Sequence, residues 1–207
     1  MTKPWYAPII ETYLFAVRDD DGTQASRDWV HMESQSVSFY MDLSKFLAQR
    51  LIATKLSLLD VGPRTGSGLA LLRLIHHPLS YASLTFDPVS GIDLNIMFKE
   101  VAAAKFPDIE ALHGDAGALA GDRKWDVVVS SHTIEHTDDP ALFLNKLERL
   151  ARKMIVVAAP YEEQPLTSGH SSRITYQLLN ESGYHDMEVY RSPHWFNSLC
   201  VIAAKQL

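Results

Sequence analysis

Leu58-Leu59-Asp60-Val61-Gly62-Pro63-Arg64-Thr65-Gly66-Ser67-Gly68 is the stretch whose reading decides the fold. An apolar run closes on an acid and a valine, three glycines fall within the next seven residues, and residues 69–75 resume apolar positions at helical spacing. That is a strand, a tight loop and a helix. Glycine lets a backbone take positive φ or approach a ligand closely, and the N-terminus of the next helix offers unpaired N–H groups to an anion. The loop reads as a cradle for a nucleotide-type ligand. It lacks the Gly-Lys-Ser/Thr ending of a phosphate-binding P-loop. It also lacks the closely spaced first glycines of a dinucleotide fingerprint, because Pro63 and Arg64 follow Gly62; this opposes a dehydrogenase.

Composition narrows the classes further. With 207 residues and 46% hydrophobic content the chain can close one good core, so one domain is expected. A net charge of −6 leaves no basic footprint for nucleic acid or an anionic membrane. Cys200, the only cysteine, lies in an apolar run and reads as a small buried hydrophobe, which rules out a disulfide framework. The first residues lack the apolar region of a signal peptide, and no run reaches the ~18 apolar residues of a membrane span. The cytoplasm is the expected location.

Outward from the glycine loop the chain alternates strands and helices. Upstream, residues 12–17 suit a strand, Asp19-Asp20-Asp21-Gly22 signals a turn, and residues 36–51 carry an amphipathic helical stripe. Residues 1–55 thus form an N-terminal cover segment. Its Trp5, Tyr6, Trp29 and His31 leave open a cap on a pocket or plain packing of a leader. Residues 56–207 form the core, with helices at 66–77, 96–105, 140–152 and 174–182. Strands follow the first at 83–93, 109–113, 125–131 and 154–159, and the strands at 184–192 and 197–205 make a closing hairpin. This is a doubly wound α/β fold, Rossmann-like, with a mostly parallel seven-stranded sheet, helices on both faces and a C-terminal antiparallel hairpin.

Three acids end strands in succession: Asp60, Asp93 and Asp115. Ligands in open α/β sheets bind at the carboxyl ends of strands, where an acid after the second strand can accept from ribose hydroxyls. Asp87 competes for that role, but Pro88 follows it, and a helix starting there would contain Ser90-Gly91. Asp93 is followed at once by Asn95, a candidate helix cap, and is preferred.

Asp60 with Gly62, Gly66 and Gly68 resembles motif I of the class I S-adenosylmethionine-dependent methyltransferases, with Arg64 where that family usually has glycine. Gly91-Ile92-Asp93-Leu94-Asn95 is similar to the family's second motif, and Gly114-Asp115-Ala116 to its adenine-contacting segment. The resemblance covers residues 56–205. It implies S-adenosylmethionine as cofactor, held by Asp60, Gly62, Arg64, Gly66, Gly68, Asp93, Leu94, Asp115, Ala116 and Ser131. It also implies methylation, expected on oxygen of a small-molecule or glycan-type acceptor; the acidic charge balance demotes nucleic acid as a partner, and no membrane partner is expected. A non-catalytic S-adenosylmethionine-binding regulatory or interaction domain is the alternative.

The fourth strand runs into Ser131-His132-Thr133-Ile134-Glu135-His136. An inverted zinc-protease helix does not fit, because His132 directly follows a buried strand and the next helix cap comes only near Asp138. Three readings stay open. The Glu-His pair orders the loop; or His132, at the strand end that faces the methyl group in the resembled fold, takes the proton of an acceptor hydroxyl; or a divalent metal sits here. Ubiquinone-pathway O-methyltransferases and small-RNA 2′-O-methyltransferases carry Glu-x-x-Glu-His at this place, which resembles His132, Glu135 and His136, and the RNA enzymes add a later His, here His170. The expectation is that His132, Glu135, His136 and His170 meet on one rim as the catalytic group.

Overall fold

The computed structural model describes residues 24–119 and 123–207. The expected strand at 12–17 and the cover aromatics Trp5 and Tyr6 lie outside them, as do the side chains of Trp29 and His31. Helix α1 (Gln24–Arg50) begins well ahead of the apolar stripe that announces it. It leads into β1 (Ala53–Val61), α2 (Ser67–Ile75), β2 (Leu84–Asp93), α3 (Ile96–Lys105), β3 (Glu110–His113) and β4 (Trp125–Ser131). Then come α4 (Pro140–Leu150), β5 (Ala151–Pro160), α5 (Tyr176–Glu181), β6 (Asp186–Ser192) and β7 (Ser198–Gln206).

The sheet runs β3-β2-β1-β4-β5-β7-β6. Strands β1 to β5 pair in parallel, and β7 lies antiparallel between β5 and β6. Because the chain steps outward from β1 to β2 and β3 and then returns to β4 on the other side, a crevice opens at the carboxyl ends of β1 and β4. Side chains alternate along the strands. Leu58, Val127, Val129 and Val156 face α1, α2 and α3, whereas Leu59, Val128, Ile155 and Val157 face α4 and α5. Both faces are covered, which is why these strands read as continuous apolar runs. Phe39, Leu43, Phe46 and Leu47 make the second half of α1 part of the first of these cores.

Two local features position the site. Between the pairs Leu56–Phe86 and Leu58–Val89, β2 carries an extra residue, and Asp87 and Pro88 bulge outward there with exposed side chains. Asp87 is therefore a mid-strand residue and Asp93 the terminal one. Asp139 caps α4 by accepting from the Leu142 N–H at 2.9 Å. The helix stops at Leu150 because Ala151 already pairs with Trp125 in the sheet.

Candidate active site

The glycine loop is shaped by contact as much as by freedom. Gly62 holds φ +83°, and a Cβ there would lie 2.3 Å from Thr133 Oγ1, on the loop after β4. Gly68 leaves room for the Tyr40 ring, which a Cβ would meet at 2.2 Å. Arg64 takes φ +55°, the left-handed region, in the slot where the resembled family has glycine. Its N–H donates to Asp93 Oδ2 at 2.8 Å, while the Asn95 N–H donates to Asp93 Oδ1 at 2.8 Å. One carboxylate thus ties the glycine loop to the start of α3 and keeps further lone pairs for a ligand. Asp115 caps a single 3₁₀ turn through the Gly117 N–H at 2.7 Å. Its ion pair with Lys146 at 2.9 Å, helped by that cap, holds its carboxyl below the usual range.

Asp60 lies deeper. It is fully buried, its Oδ2 accepts from the Tyr40 hydroxyl at 2.5 Å, and its Oδ1 makes no hydrogen bond of good geometry. Burial pushes the carboxyl up to about 7.

Two clefts adjoin at the crevice. One, of about 380 Å³, is bordered by Asp93, Leu94, Asp115, Ala116, Phe143 and Lys146 among others. The other, of about 350 Å³, lies between α1 and the loop joining β6 to β7, where Phe39 and Trp195 face Ser131, Glu135 and His170. Gly62, Arg64, His132 and His136 border both. Of the expected donor residues, Asp60, Gly66 and Gly68 line neither cleft.

The histidines separate into two groups. His132 follows β4 at φ +52°, and its ring stacks on Phe39 with centroids 3.5 Å apart. Burial, reinforced by the His170 and His136 imidazoles, pushes it down to about 3, so the ring stays neutral at neutral pH and is a poor proton acceptor. Glu135, His136 and His170 come together instead, with one potential ligand atom from each lying within 4.8 Å of the others. His136 Nδ1 contacts the Gly169 carbonyl at 2.8 Å and His170 Nδ1 contacts Glu163 Oε2 at 2.6 Å. Both partners only accept, which assigns the proton to Nδ1 in each ring and leaves Nε2 of a neutral ring with its lone pair. Glu135 is 1% exposed, its Oε2 makes no hydrogen bond of good geometry, and burial pushes its carboxyl up to about 8. The expected four-residue group is thus a set of three beside a stacked His132.

Sequence reasoning passed over Tyr40, Phe39, Lys146, Glu163, Trp195 and Phe196. Tyr40 belongs to an apolar stripe that reads as core. Glu163 had a faint signal, a carboxylate just past Pro160-Tyr161 and seven residues before His170.

A family model described as a methyltransferase domain matches residues 31–174. The chain belongs to this family, the class I S-adenosylmethionine-dependent methyltransferases. The fold agrees. Magnesium protoporphyrin IX methyltransferase from Synechocystis PCC 6803, solved with S-adenosylhomocysteine, is 16% identical over 94% of each chain, with a TM-score of 0.61. The Burkholderia thailandensis 1,6-didemethyltoxoflavin-N1-methyltransferase is 16% identical over all of this chain and 91% of its own, at 0.58. An S-adenosylmethionine-dependent methyltransferase from Aquifex aeolicus is 18% identical over 84% and 92%, also at 0.58. No curated protein matches the sequence. Among the described residues no helix is long and apolar enough to cross a membrane.

Proposed function

We propose that this methyltransferase transfers the methyl group to an oxygen of a small-molecule or glycan-type acceptor. The observation that carries the reading is the joining of two clefts at Gly62, Arg64, His132 and His136, one rimmed by Asp93 and Asp115 and the other by imidazoles. In this reading the first cleft takes the donor: Asp93 accepts from the ribose, Asp115 from the adenine amino group, and Leu94 and Ala116 pack on the ring. The Gly62 backbone, which borders both clefts, suits the amino-acid end, with the buried Asp60 behind it. The donor supplies a sulfonium methyl, and the protein's part is in-line placement and exclusion of water. Phe39 and His132, stacked face to face, close the wall beside the point of transfer.

Glu135, His136 and His170 would hold the divalent cation in this reading. One ligand atom from each lies within 4.8 Å of the others, and each imidazole is fixed through Nδ1 in the manner common to metal-ligating histidines. Such an ion would supply polarisation of the acceptor hydroxyl. Calorimetry with S-adenosylhomocysteine and with NAD tests the donor; binding of the first alone is expected. A methyl-release assay with and without chelator then tests the rest. Turnover that ignores chelator would remove the ion, and methylation on nitrogen or carbon would remove the O-acceptor.

A further inference from the structure

The cleft between α1 and the β6–β7 loop has walls and a floor of different chemistry. Its walls are rings already held in place. Phe39 lies parallel to His132 at 3.5 Å, and Trp195 lies nearly parallel to His170 at 5.5 Å with an interplanar angle of 14°. Phe196 extends this surface at the mouth, 5.6 Å from Trp195 and 78% exposed. Its φ of +50° and that of +57° at Asn197 fix the turn that presents it. An exposed large aromatic on a left-handed turn at the lip of a cavity is a surface that an occupant would bury.

The floor is polar and small. It offers the His136 and His170 imidazoles and the carboxyl of Glu135, whose Oε2 is buried without a hydrogen bond of good geometry. A buried polar atom left in that state is best satisfied by a ligand group.

The remaining lining residues say what the occupant lacks. Among those described, Arg64 carries the only guanidinium or ammonium, and it sits on the border with the donor cleft. With Arg64 turned to the donor's carboxylate, no lysine or arginine among the lining residues remains to neutralise a phosphate or a phosphodiester. A polyhydroxylated sugar would need several side-chain partners around its ring. Six uncharged polar side chains line it, Gln35, Ser36, Tyr40, Ser131, Thr167 and Ser168, and four of them are engaged elsewhere. Gln35 Nε2 donates to the His194 carbonyl at 2.8 Å, the Thr167 hydroxyl to Glu163 at 2.5 Å and the Tyr40 hydroxyl to Asp60 at 2.5 Å, while Ser131 Oγ pairs with His132 Nδ1 at 3.1 Å. What fits is a flat apolar body with one polar end pointing down.

Resting on the O-methyl transfer reading above, we infer that the acceptor is a neutral planar aromatic bearing a ring hydroxyl, lying against Trp195 and the exposed Phe196 with its hydroxyl on the Glu135–His136–His170 floor. The methyl leaves the donor sulfur as a cation and forms the new carbon–oxygen bond. The phenolic proton departs to solvent, and S-adenosylhomocysteine and an aryl methyl ether are the products. A cavity of about 350 Å³ is at the lower end of the range for small-molecule sites and suits one or two fused rings.

The experiment uses the full chain with S-adenosylmethionine and sets neutral mono- and bicyclic phenols against methyl glycosides. The readouts are methyl transfer and, in the S-adenosylhomocysteine complex, quenching of tryptophan fluorescence, with Trp195→Phe as the reference for Trp195's share. Phenols should be methylated and glycosides should not. Trp195→Ala should raise the phenol KM about tenfold, the scale of one lost aromatic contact plus its burial, while S-adenosylhomocysteine affinity holds. Phe196→Ala, at an exposed position that can hardly upset folding, should raise the KM in the same direction. Turnover of glycosides, turnover of neither class, or an unchanged phenol KM in both variants overturns the inference. If S-adenosylhomocysteine itself does not bind, the donor reading falls and takes this one with it; if it binds and only the phenols fail, the acceptor class alone is wrong.

Discussion

The Tyr40 hydroxyl, on the long first helix, donates to the buried carboxylate of Asp60 across 20 residues of sequence at 2.5 Å. This bond joins a helix that sequence patterning assigns to a cover to the strand that ends in the glycine loop. Burial, then the charge of Asp60, raises the Tyr40 hydroxyl well above its usual range, so Tyr40 remains the donor. Asp60 has no other side-chain partner among the described residues, so this hydroxyl satisfies one carboxyl oxygen and Oδ1 has no side-chain partner.

Tyr40→Phe should therefore cost more than a typical hydrogen bond. The ring that fills the space over Gly68 is kept, so packing changes little. Asp60 is left buried with neither oxygen hydrogen-bonded by a side chain, and the expected loss is about 1–3 kcal/mol. Urea denaturation of the two proteins at pH 7 measures it. A loss below about 0.5 kcal/mol would mean that water reaches Asp60 in the variant and that the helix is not anchored here.

Glu135 predicts a pH dependence. Its ordinary value is 4.5 and burial raises it to about 8 in the folded chain; Asp60 moves the same way, from 3.8 to about 7. Between the ordinary and the raised values the folded protein holds protons that the unfolded chain releases, so stability falls as pH rises and levels off above about 8. His132 works in the opposite direction, since its depressed value makes stability fall as pH drops below 6.5. From 6.5 to about 8 only the acids contribute, at up to about 1.4 kcal/mol per pH unit for each group. Glu135→Gln should flatten the decline in that window without removing the part due to Asp60. An unchanged slope in the variant would place the Glu135 carboxylate in contact with solvent or an ion.

Asp93 and Asp87 provide a paired comparison. Asp93 closes β2 and takes two backbone N–H groups, whereas Asp87 sits on the outward bulge 3.8 Å from Arg73. Asp93→Ala should weaken S-adenosylhomocysteine binding by about 1.5–3 kcal/mol, the range for hydrogen bonds to a charged group. Asp87→Ala should leave it unchanged, because Asp87 lines neither cleft. Calorimetry on both variants decides, and the reverse ranking would refute the donor placement.

How much of this was readable from residues varies with the range of the interaction. Strand ends, Asp139 and Asn95 as caps, and the hairpin follow from local chemistry, and the structure has them within a few residues. The stacking of His132 was not readable, because it depends on a ring face offered by Phe39, 93 residues earlier. Trp195 was likewise not readable, because its stacking on His170 is made only through the fold. The bulge at Asp87 arises from register with β1, which no single-strand pattern contains.

Arg64 is the residue where local rule and structure conflict most openly. It holds φ +55° without being glycine, a conformation that costs of order 1 kcal/mol for a side chain with a Cβ. Its N–H bond to Asp93 requires that backbone and nothing of the guanidinium. Arg64→Gly should then keep the loop geometry and relieve strain while losing some unfolded-state restraint, for a net change in stability within about 1 kcal/mol. Donor affinity reads the side chain separately. Because Arg64 borders both clefts, its guanidinium is placed to pair with the carboxylate at the donor's amino-acid end. If it does, S-adenosylhomocysteine should bind about tenfold more weakly to Arg64→Gly, and the loss should shrink as salt is raised. Equal affinity at low and high salt would leave Arg64 no part in donor binding beyond its backbone.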